Sequence, residues 1–167
     1  IRIRQHRKIR EDACLKGASV CLEADGRYYV SLLYFCEEKP VEIRNIRQAV
    51  GLDFSMKELY VDSNGKHAGY PHYFRNSEEK LAKAQRKLSH CRKGSNRYKK
   101  QQKKVARIHT HIAHQRKDYL HKVSHEMISE NQVIVSENLQ IKNMVKNHYL
   151  AKAISDVSWY ELTRQLE

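Results

Sequence analysis

Two acidic residues stand inside short apolar runs, where a carboxylate is unexpected unless it binds a cation. Asp53 lies in "AVGLDFSM" (residues 49–56) and Glu137 lies in "VIVSENL" (residues 133–139). A buried, unpaired carboxylate is costly, so it normally becomes neutral or finds a positive partner. If the two runs form neighbouring strands, the carboxylates converge, and such an all-oxygen site suits Mg²⁺ or Mn²⁺. Paired ions of this kind catalyse phosphodiester hydrolysis in nucleases, which is the chemistry that this pair could do.

The alternation of residues 49–56 predicts the face on which Asp53 lies. Successive side chains of a strand point to opposite faces, so Asp53 should lie opposite the apolar set Val50, Leu52, Phe54 and Met56. A structural role is the alternative for both acids, because acidic residues at strand ends are often turn, cap or solvated residues. Asp62 is a competing ligand candidate, but it precedes Ser63-Asn64-Gly65 and is more simply a turn residue.

The chain is strongly basic, with a net charge of +13 from 32 Lys and Arg against 19 Asp and Glu. Such a balance predicts a polyanion partner, nucleic acid in preference to an anionic membrane surface. Residues 80–117 hold 14 Lys and Arg and no acidic residue. A solvated helix face is the alternative, but charges without acidic partners favour phosphate binding. The candidate nucleic-acid-binding residues are Arg86, Lys87, Arg92, Lys93, Arg97, Lys99, Lys100, Lys103, Lys104 and Arg107.

Two β-rich regions precede the helices. Residues 13–37 predict a β-hairpin that turns at Asp25-Gly26. Residues 38–48 are charged and predict a crossing into a second domain. A strand at residues 49–56 is followed by a hairpin with Asn64-Gly65 at its tip.

A long helical hairpin is predicted for residues 76–130. A capping-box pattern begins at Asn76, and residues 89–96 form a turn. The second helix then runs from about residue 97 to about residue 130, because its apolar positions recur every three, four or seven residues. At 1.5 Å per residue this helix would be about 50 Å long.

The remaining residues predict one buried strand and two helices. Residues 133–139 are a nearly continuous apolar run, typical of a strand covered on both faces in a parallel sheet. Residues 149–155 and 157–167 have helical patterns, with Ser155 or Asp156 as the N-cap of the last helix.

The cysteines and the apolar runs argue against a secreted or membrane protein. The four cysteines form no CxxC pair and have no His at zinc-finger spacing, so we expect reduced, buried cysteines in a cytoplasmic, nucleoid-associated protein. No apolar run approaches the roughly 18 residues that span a bilayer, so no membrane partner is expected. The cysteines are Cys14, Cys21, Cys36 and Cys91.

Four segments of the chain resemble the TnpB family, the OrfB-type proteins of insertion sequences. In chain order they are "VGLDFSMKELYVDSNGK", "KLAKAQRKLSHCRKGSNRYKKQQKKVARIHTHIAHQRKDYLHKVS", "VIVSENLQIKNM" and "LAKAISDVSWYELTRQLE". The resemblance covers about residues 12–167 in order and is specific as a set. TnpB-like proteins are RNA-guided DNA endonucleases related to type V CRISPR effectors. The resemblance therefore implies a transposon-encoded, Mg²⁺- or Mn²⁺-dependent endonuclease whose partners are a guide RNA and target DNA.

The resemblance also implies an α/β fold with a defined domain arrangement. The nuclease domain would be an RNase H-like (RuvC) mixed sheet with the long basic helical hairpin of residues 76–130 as an insertion. It would be preceded by part of a β-barrel wedge domain. Residues 1–48 would form the C-terminal part of the wedge, and residues 49–167 the N-terminal part of the nuclease domain.

By the same resemblance, Asp53 and Glu137 match two of the family's three catalytic, metal-binding acidic residues. Many relatives have a second acidic residue directly after the Glu and a Gly soon after the Asp. This chain has Asn138 and Ser55 there, and neither position is a metal ligand in the family pattern.

The resemblance places the third acidic residue and a CxxC…CxxC zinc ribbon after residue 167. The start of the wedge domain and a helical recognition lobe would precede residue 1. We therefore expect an internal fragment or truncated copy that holds metal poorly, does not cut alone and has the remainder of the same protein as a further partner. One alternative is a non-catalytic guide RNA and DNA binder of the same family. Another is a basic ribosomal-type RNA protein, which would not need Asp53 or Glu137.

Overall fold

The chain forms two compact units, Ile1–Glu42 and Ile43–Glu167. They are called here the N-terminal unit and the C-terminal unit. The computed structural model describes residue 4, residues 8–37 and residues 46–167. In the described part of the chain, no helix is long and apolar enough to cross a membrane.

The N-terminal unit contains a two-stranded antiparallel hairpin, β1 (Cys14–Leu22) and β2 (Tyr28–Phe35). The turn forms at the predicted Asp25-Gly26. Gly26 has a φ of 81°, which a glycine adopts without a Cβ clash. The Asp25 carboxylate accepts a hydrogen bond from the backbone N–H of Arg27 at 2.8 Å. The predicted hairpin is therefore confirmed.

Two other expectations for this region have different outcomes. All four cysteines are free, but Cys14 and Cys21 are exposed. The prediction that they are buried is wrong, because no second layer covers this sheet among the described residues of the unit. Residues 38–48 were predicted to cross into a second domain, and residues 38–45 of this stretch lie outside the described residues.

The C-terminal unit contains a three-stranded mixed sheet in the order β4-β3-β5. Its strands are β3 (Ala49–Ser55), β4 (Leu59–Asp62) and β5 (Val133–Ser136). β4 pairs antiparallel to β3, and β5 pairs parallel to it. The parallel pair needs a long connection, and the two long helices supply it. The structure thus confirms a mixed α/β unit.

Five helices complete the C-terminal unit, and three of them share its main core with the sheet. The buried side chains of β3 and β4 pack with those of α2, α4 and α5. Trp159 is buried there and donates its indole N–H to the carbonyl of Leu59 at 2.9 Å. The helices are α1 (Tyr73–Ser89), α2 (Asn96–Glu130), α3 (Ile141–Met144), α4 (His148–Val157) and α5 (Trp159–Leu166).

α1 and α2 form the predicted helical hairpin around a second, smaller core. Its buried members are Leu81, Ala84, Ile108 and Ile112. The turn contains Gly94 at a φ of 81°. Ser95 then caps α2, with its hydroxyl oxygen accepting from the Tyr98 N–H at 3.1 Å. Because α2 continues from this small core into the main core, one helix stabilises both.

The predicted helix starts at Asn76 and at Ser155 or Asp156 are wrong. α1 begins at Tyr73, and the Asn76 side chain donates to the Pro71 carbonyl instead of capping. Ser155 and Asp156 lie inside α4, and α5 follows Ser158, whose φ of 59° is left-handed. The first error arises because the Phe74 N–H at the start of α1 is capped by Asp156 from another helix, a contact that a short sequence pattern does not contain.

The prediction that β5 is covered on both faces is also wrong. β5 is an edge strand, and Val135 is 62% exposed. The strand ends at Ser136. In β3, Val50 and Leu52 are buried as predicted, but Met56 lies beyond the strand and is exposed.

Candidate active site

β3 and β5 bring Asp53 and Glu137 to the same end of the sheet. The parallel register places Leu52 opposite Ser136. Each acid is the next residue along its chain, Asp53 within β3 and Glu137 directly after β5. The condition under which the two carboxylates converge, that the two apolar runs form neighbouring strands, is therefore met.

A hydrogen bond ties the Glu137 carboxylate to β3. The backbone N–H of Phe54, the residue after Asp53, donates to Oε1 of Glu137 at 3.1 Å. One carboxylate oxygen is therefore held against the strand that carries Asp53. The other oxygen has no hydrogen bond within the described part of the chain and is free to bind a ligand.

Both carboxylates are exposed. The reason is that β5 is an edge strand and that Asp53 lies on the face of β3 opposite the buried Val50 and Leu52. Exposure removes the desolvation cost that a buried acid would bear. It also leaves the pair accessible to an ion and to a phosphate group.

Asp53 and Glu137 offer carboxylate oxygens, which are the type of ligand that a hard divalent cation prefers. Mg²⁺ is commonly held by one or two carboxylates together with waters and substrate phosphates. Among the residues that the structure describes, no group of three or more His, Cys, Asp or Glu could hold a metal ion. The protein ligands available here are therefore two carboxylates.

A groove of about 520 Å³ opens beside Glu137. It is lined by the residues that follow β5, by Phe54 and by the outer side of α5. Lys142 and the exposed Tyr160 lie on its wall. The candidate site thus opens into space that can admit a chain-like substrate.

The ten predicted nucleic-acid-binding residues come together at one end of the helical hairpin. They occupy the last turn of α1, the connecting turn and the first third of α2, and all ten are exposed. The antiparallel pairing of the helices is fixed by contacts such as the hydrogen bond from the Gln101 side chain to the Ala84 carbonyl at 2.9 Å. The hairpin therefore presents a concentrated positive end.

Asp62 is a turn residue, as the simpler interpretation held. Its Oδ1 accepts from the backbone N–H groups of Asn64 at 2.9 Å and Lys66 at 2.8 Å. Gly65 has a φ of 79° in the same turn. These bonds hold Oδ1 of Asp62 in the turn, which is the structural role that the simpler interpretation gave it.

Sequence reasoning missed the role of Asp156, which is 5% exposed. Its carboxylate accepts from the Phe74 N–H at 3.2 Å and lies 3.3 Å from Nη2 of Arg116. The Tyr70 hydroxyl donates to the Asp156 carbonyl. Burial, followed by the Asp156 charge, raises the pKa of Tyr70. Asp156 thus caps α1 from another helix, a role that no local pattern could reveal.

These features define a mixed α/β protein with two carboxylates on adjacent parallel strands and a strongly basic helical hairpin. Residues 33–148 match the family model OrfB_IS605, described as "Probable transposase". That match covers more than half of the chain. The protein therefore belongs to the OrfB family of insertion-sequence proteins, the TnpB-like proteins.

Two curated relatives are similar to the chain, and both are named "Putative RNA-guided DNA endonuclease". One, from Streptomyces pristinaespiralis, is 41% identical over 165 residues, which is 99% of this chain and 40% of the relative. The other, InsQ of Escherichia coli K12, is 33% identical over 156 residues, which is 84% of this chain and 39% of the relative. The chain thus spans about two fifths of the length of these relatives.

Proposed function

We propose that this chain is the part of an RNA-guided DNA endonuclease that carries two of its metal-binding carboxylates. The observation that carries the proposal is the placement of Asp53 and Glu137 side by side on parallel strands, with Glu137 hydrogen-bonded to the backbone of β3. The family membership and the names of the two relatives support the same reaction class.

In this proposal residues 49–167 are part of an RNase H-like (RuvC) nuclease domain, and residues 1–48 are part of a wedge domain. The mixed sheet with a parallel β3–β5 pair and the helical insertion between them support the first assignment. The antiparallel β1–β2 hairpin supports the second.

Asp53 and Glu137 would hold Mg²⁺ or Mn²⁺ through carboxylate oxygens. When bound, such an ion supplies a hydroxide-like nucleophile at neutral pH and neutralises charge on the scissile phosphate. The Phe54 N–H holds Glu137 Oε1 in place, which would leave Oε2 available as a ligand. The exposed groove beside Glu137 admits the DNA strand.

The basic end of the helical hairpin would bind the phosphates of guide RNA and target DNA. Its exposed lysines and arginines release counterions when they meet a phosphate backbone, which makes binding favourable at low salt. This role needs no base-specific contacts, and it matches a protein whose sequence specificity is supplied by a guide.

The test is cleavage by the full reading frame that contains this chain, loaded with its guide RNA and given a matched DNA target. Asp53→Asn should lower the cleavage rate by about a thousandfold, because a metal-binding carboxylate is removed. Asp118→Asn is the matched control, since Asp118 is exposed on α2 and pairs only with Lys122 among the described residues. It should cut at the wild-type rate.

A second readout is metal binding without cleavage, followed by the paramagnetic effect of Mn²⁺ on water relaxation. Asp53→Asn combined with Glu137→Gln should weaken Mn²⁺ binding about tenfold or more, because affinity for hard cations depends on ligand charge. Unchanged cutting and Mn²⁺ binding in these variants would overturn the metal-site assignment. Retained nucleic-acid binding without any wild-type cutting would instead favour the non-catalytic binder.

A further inference from the structure

A second cleft, of about 450 Å³, lies between α1, α4 and the residues that follow β3. It is called here the α1–α4 cleft. Its lining includes Lys57, Arg75, Tyr149 and Lys152. These side chains come from three separate segments of the C-terminal unit, and none of them belongs to the candidate active site or to the basic end of the hairpin.

The cleft carries positive charge that its own acids do not cancel. Lys57 and Arg75 are exposed and form no ion pair in the described part of the chain. Glu78 is already paired, since its carboxylate lies 2.5 Å from Nζ of Lys152. Asp156 lies at the buried end and faces Arg116. Two cations are thus left for an anionic ligand.

Aromatic side chains line the same cleft as these two cations. Tyr149 is 82% exposed, and its ring lies 4.0 Å from the ring of His148, centroid to centroid. Lys152 also lies over the ring of Phe74, at 5.6 Å from its centroid. An exposed ring and two unpaired cations in one cleft match the two parts of a single-stranded nucleotide, the base and the phosphate.

Interactions between α1 and α4 hold the two sides of the cleft together, and two of its lining residues are close to Asp53 in sequence. The Asp156 hydrogen bond to the Phe74 N–H and the Glu78–Lys152 ion pair both join α4 to α1. Met56 and Lys57, which line the cleft, follow Asp53 by three and four residues.

We propose that the α1–α4 cleft binds a single-stranded segment of the DNA substrate, with Lys57 and Arg75 on its phosphates and Tyr149 stacked on a base. This inference rests on the proposed endonuclease function. The cleft would hold the strand as it approaches the carboxylates, so these three are positioning residues. They do not touch the reacting atoms.

The test measures binding of a fluorescein-labelled oligothymidylate of fifteen nucleotides by the guide-loaded full reading frame, in EDTA so that no cutting occurs. Lys57→Gln combined with Arg75→Gln should weaken binding about tenfold and reduce the slope of log K against log salt by about 1.4, at about 0.7 per phosphate contact of a single strand. Lys122→Gln with Lys146→Gln is the control, because it removes the same charge from exposed positions outside the cleft. That control should bind within about twofold of the wild type.

Tyr149 gives an independent test that does not change charge. Tyr149→Ala should weaken DNA binding about tenfold, whereas Tyr149→Phe keeps the ring and should bind as the wild type does. In cleavage assays, the Ala variant should raise KM with kcat within about twofold. Circular dichroism melting checks that each variant is folded, which is expected because Lys57, Arg75 and Tyr149 are all exposed.

Three outcomes would overturn the proposal. In the first, the cleft variants bind as tightly as the control pair. In the second, the Ala and Phe variants of Tyr149 bind alike. In the third, the cleft variants bind DNA normally and lose affinity only for oligouridylate of the same length.

Asp53→Asn is assayed for cutting in the same preparations. If cutting needs Asp53 but the cleft variants bind normally, the cleft assignment fails and the endonuclease function stands. If the cleft variants bind DNA weakly while no preparation cuts, the cleft assignment stands and the endonuclease function fails.

Discussion

At the scale of single residues, three carboxylates of the C-terminal unit have different surroundings. Asp53 and Glu137 are exposed at the end of the sheet, available to a cation. Asp156 is buried and is satisfied by a backbone N–H and a guanidinium. Exposure is what a ligand site requires, and burial with partners is what a structural cap requires. The residue environment therefore separates the two roles.

Asp156→Ala should destabilise the C-terminal unit by about 3 kcal/mol, because it removes the cap of α1 and leaves Arg116 without its partner. Nε of Arg116 is already buried without a hydrogen-bond partner among the described residues, so this side chain tolerates little further disruption. Urea unfolding followed by the fluorescence of Trp159, the single tryptophan of the chain, measures the change. Asp118→Ala, which breaks only an exposed pair, should cost about 0.5 kcal/mol or less. Equal costs for the two variants would contradict the capping role.

At the scale of elements, α2 connects the parts of the C-terminal unit. One half of this helix packs against α1 in the small core, and the other half packs in the main core. The first half carries the basic residues, and the second half leads into β5 and Glu137. The helix thus joins the proposed phosphate-binding end to the strand that leads into the proposed metal site.

Ser95→Ala should lower the free energy of unfolding by about 1 kcal/mol, since it removes the side-chain acceptor for the first turn of α2. Without the Ser95 hydroxyl, the Tyr98 N–H no longer has this hydrogen-bond acceptor. Ser129→Ala is a control near the other end of α2, where the hydroxyl donates to the Glu126 carbonyl and caps nothing. Urea unfolding should show little change for that control, and a similar decrease in both would argue against the cap.

Lowering the pH should destabilise the folded state, because Glu161 of α5 becomes protonated. Two hydrogen bonds from Arg164 lower the pKa of Glu161 from 4.5 to about 2. A carboxyl whose pKa is lowered by folding stabilises the folded state above the unfolded pKa, and that contribution is lost as pH falls from about 4.5 to about 2. Because the side chain is 29% exposed, solvent screening limits the effect to about 0.5 kcal/mol.

The matched measurement compares unfolding of Glu161→Gln and wild type at several pH values. The difference in free energy should be present at pH 6 and should vanish near pH 2. A difference that stays constant with pH would show that the ion pair with Arg164 does not stabilise the folded state.

At the scale of the whole molecule, charge is distributed unevenly. The chain has a net charge of +13. Residues 80–117, a run of 38 residues, contain no acidic residue. Its exposed cations concentrate at one end of the hairpin. Such a field attracts polyanions and makes their binding sensitive to ionic strength.

Lys103→Gln combined with Lys104→Gln should weaken duplex DNA binding and reduce the slope of log K against log salt by about 1.8, at about 0.9 per phosphate contact. Fluorescence anisotropy at several salt concentrations measures the slope. The pair Lys122→Gln and Lys146→Gln removes the same charge elsewhere. If both pairs change the slope equally, net charge and not the hairpin end controls binding.

Much of the fold could be predicted from the sequence, because local rules set it. The turns at Asp25-Gly26 and Asn64-Gly65 follow from the need for glycine at positive φ. The approximate bounds of α2 follow from the periodicity of its apolar positions, and the alternation of β3 placed Asp53 opposite Val50 and Leu52. The types of these elements and the two candidate carboxylates could therefore be predicted from the sequence alone.

Other features required the tertiary structure. The start of α1 depends on Asp156 from another helix, and the exposure of Val135 depends on which neighbours β5 has in the sheet. The α1–α4 cleft is assembled from three segments that carry no shared motif. None of these follows from a local window, because each is set by contacts between residues far apart in the chain.

The amino-acid sequence by itself determined the strand-borne acids, the basic helical hairpin and the family of this protein. Only the tertiary structure decided that Asp53 and Glu137 are adjacent and exposed, and that Asp156 is buried. The physical reason is that side-chain type and spacing decide which element forms. The pairing of β3 with β5 then decides which side chains meet, and the packing of α1 against α4 decides which are covered.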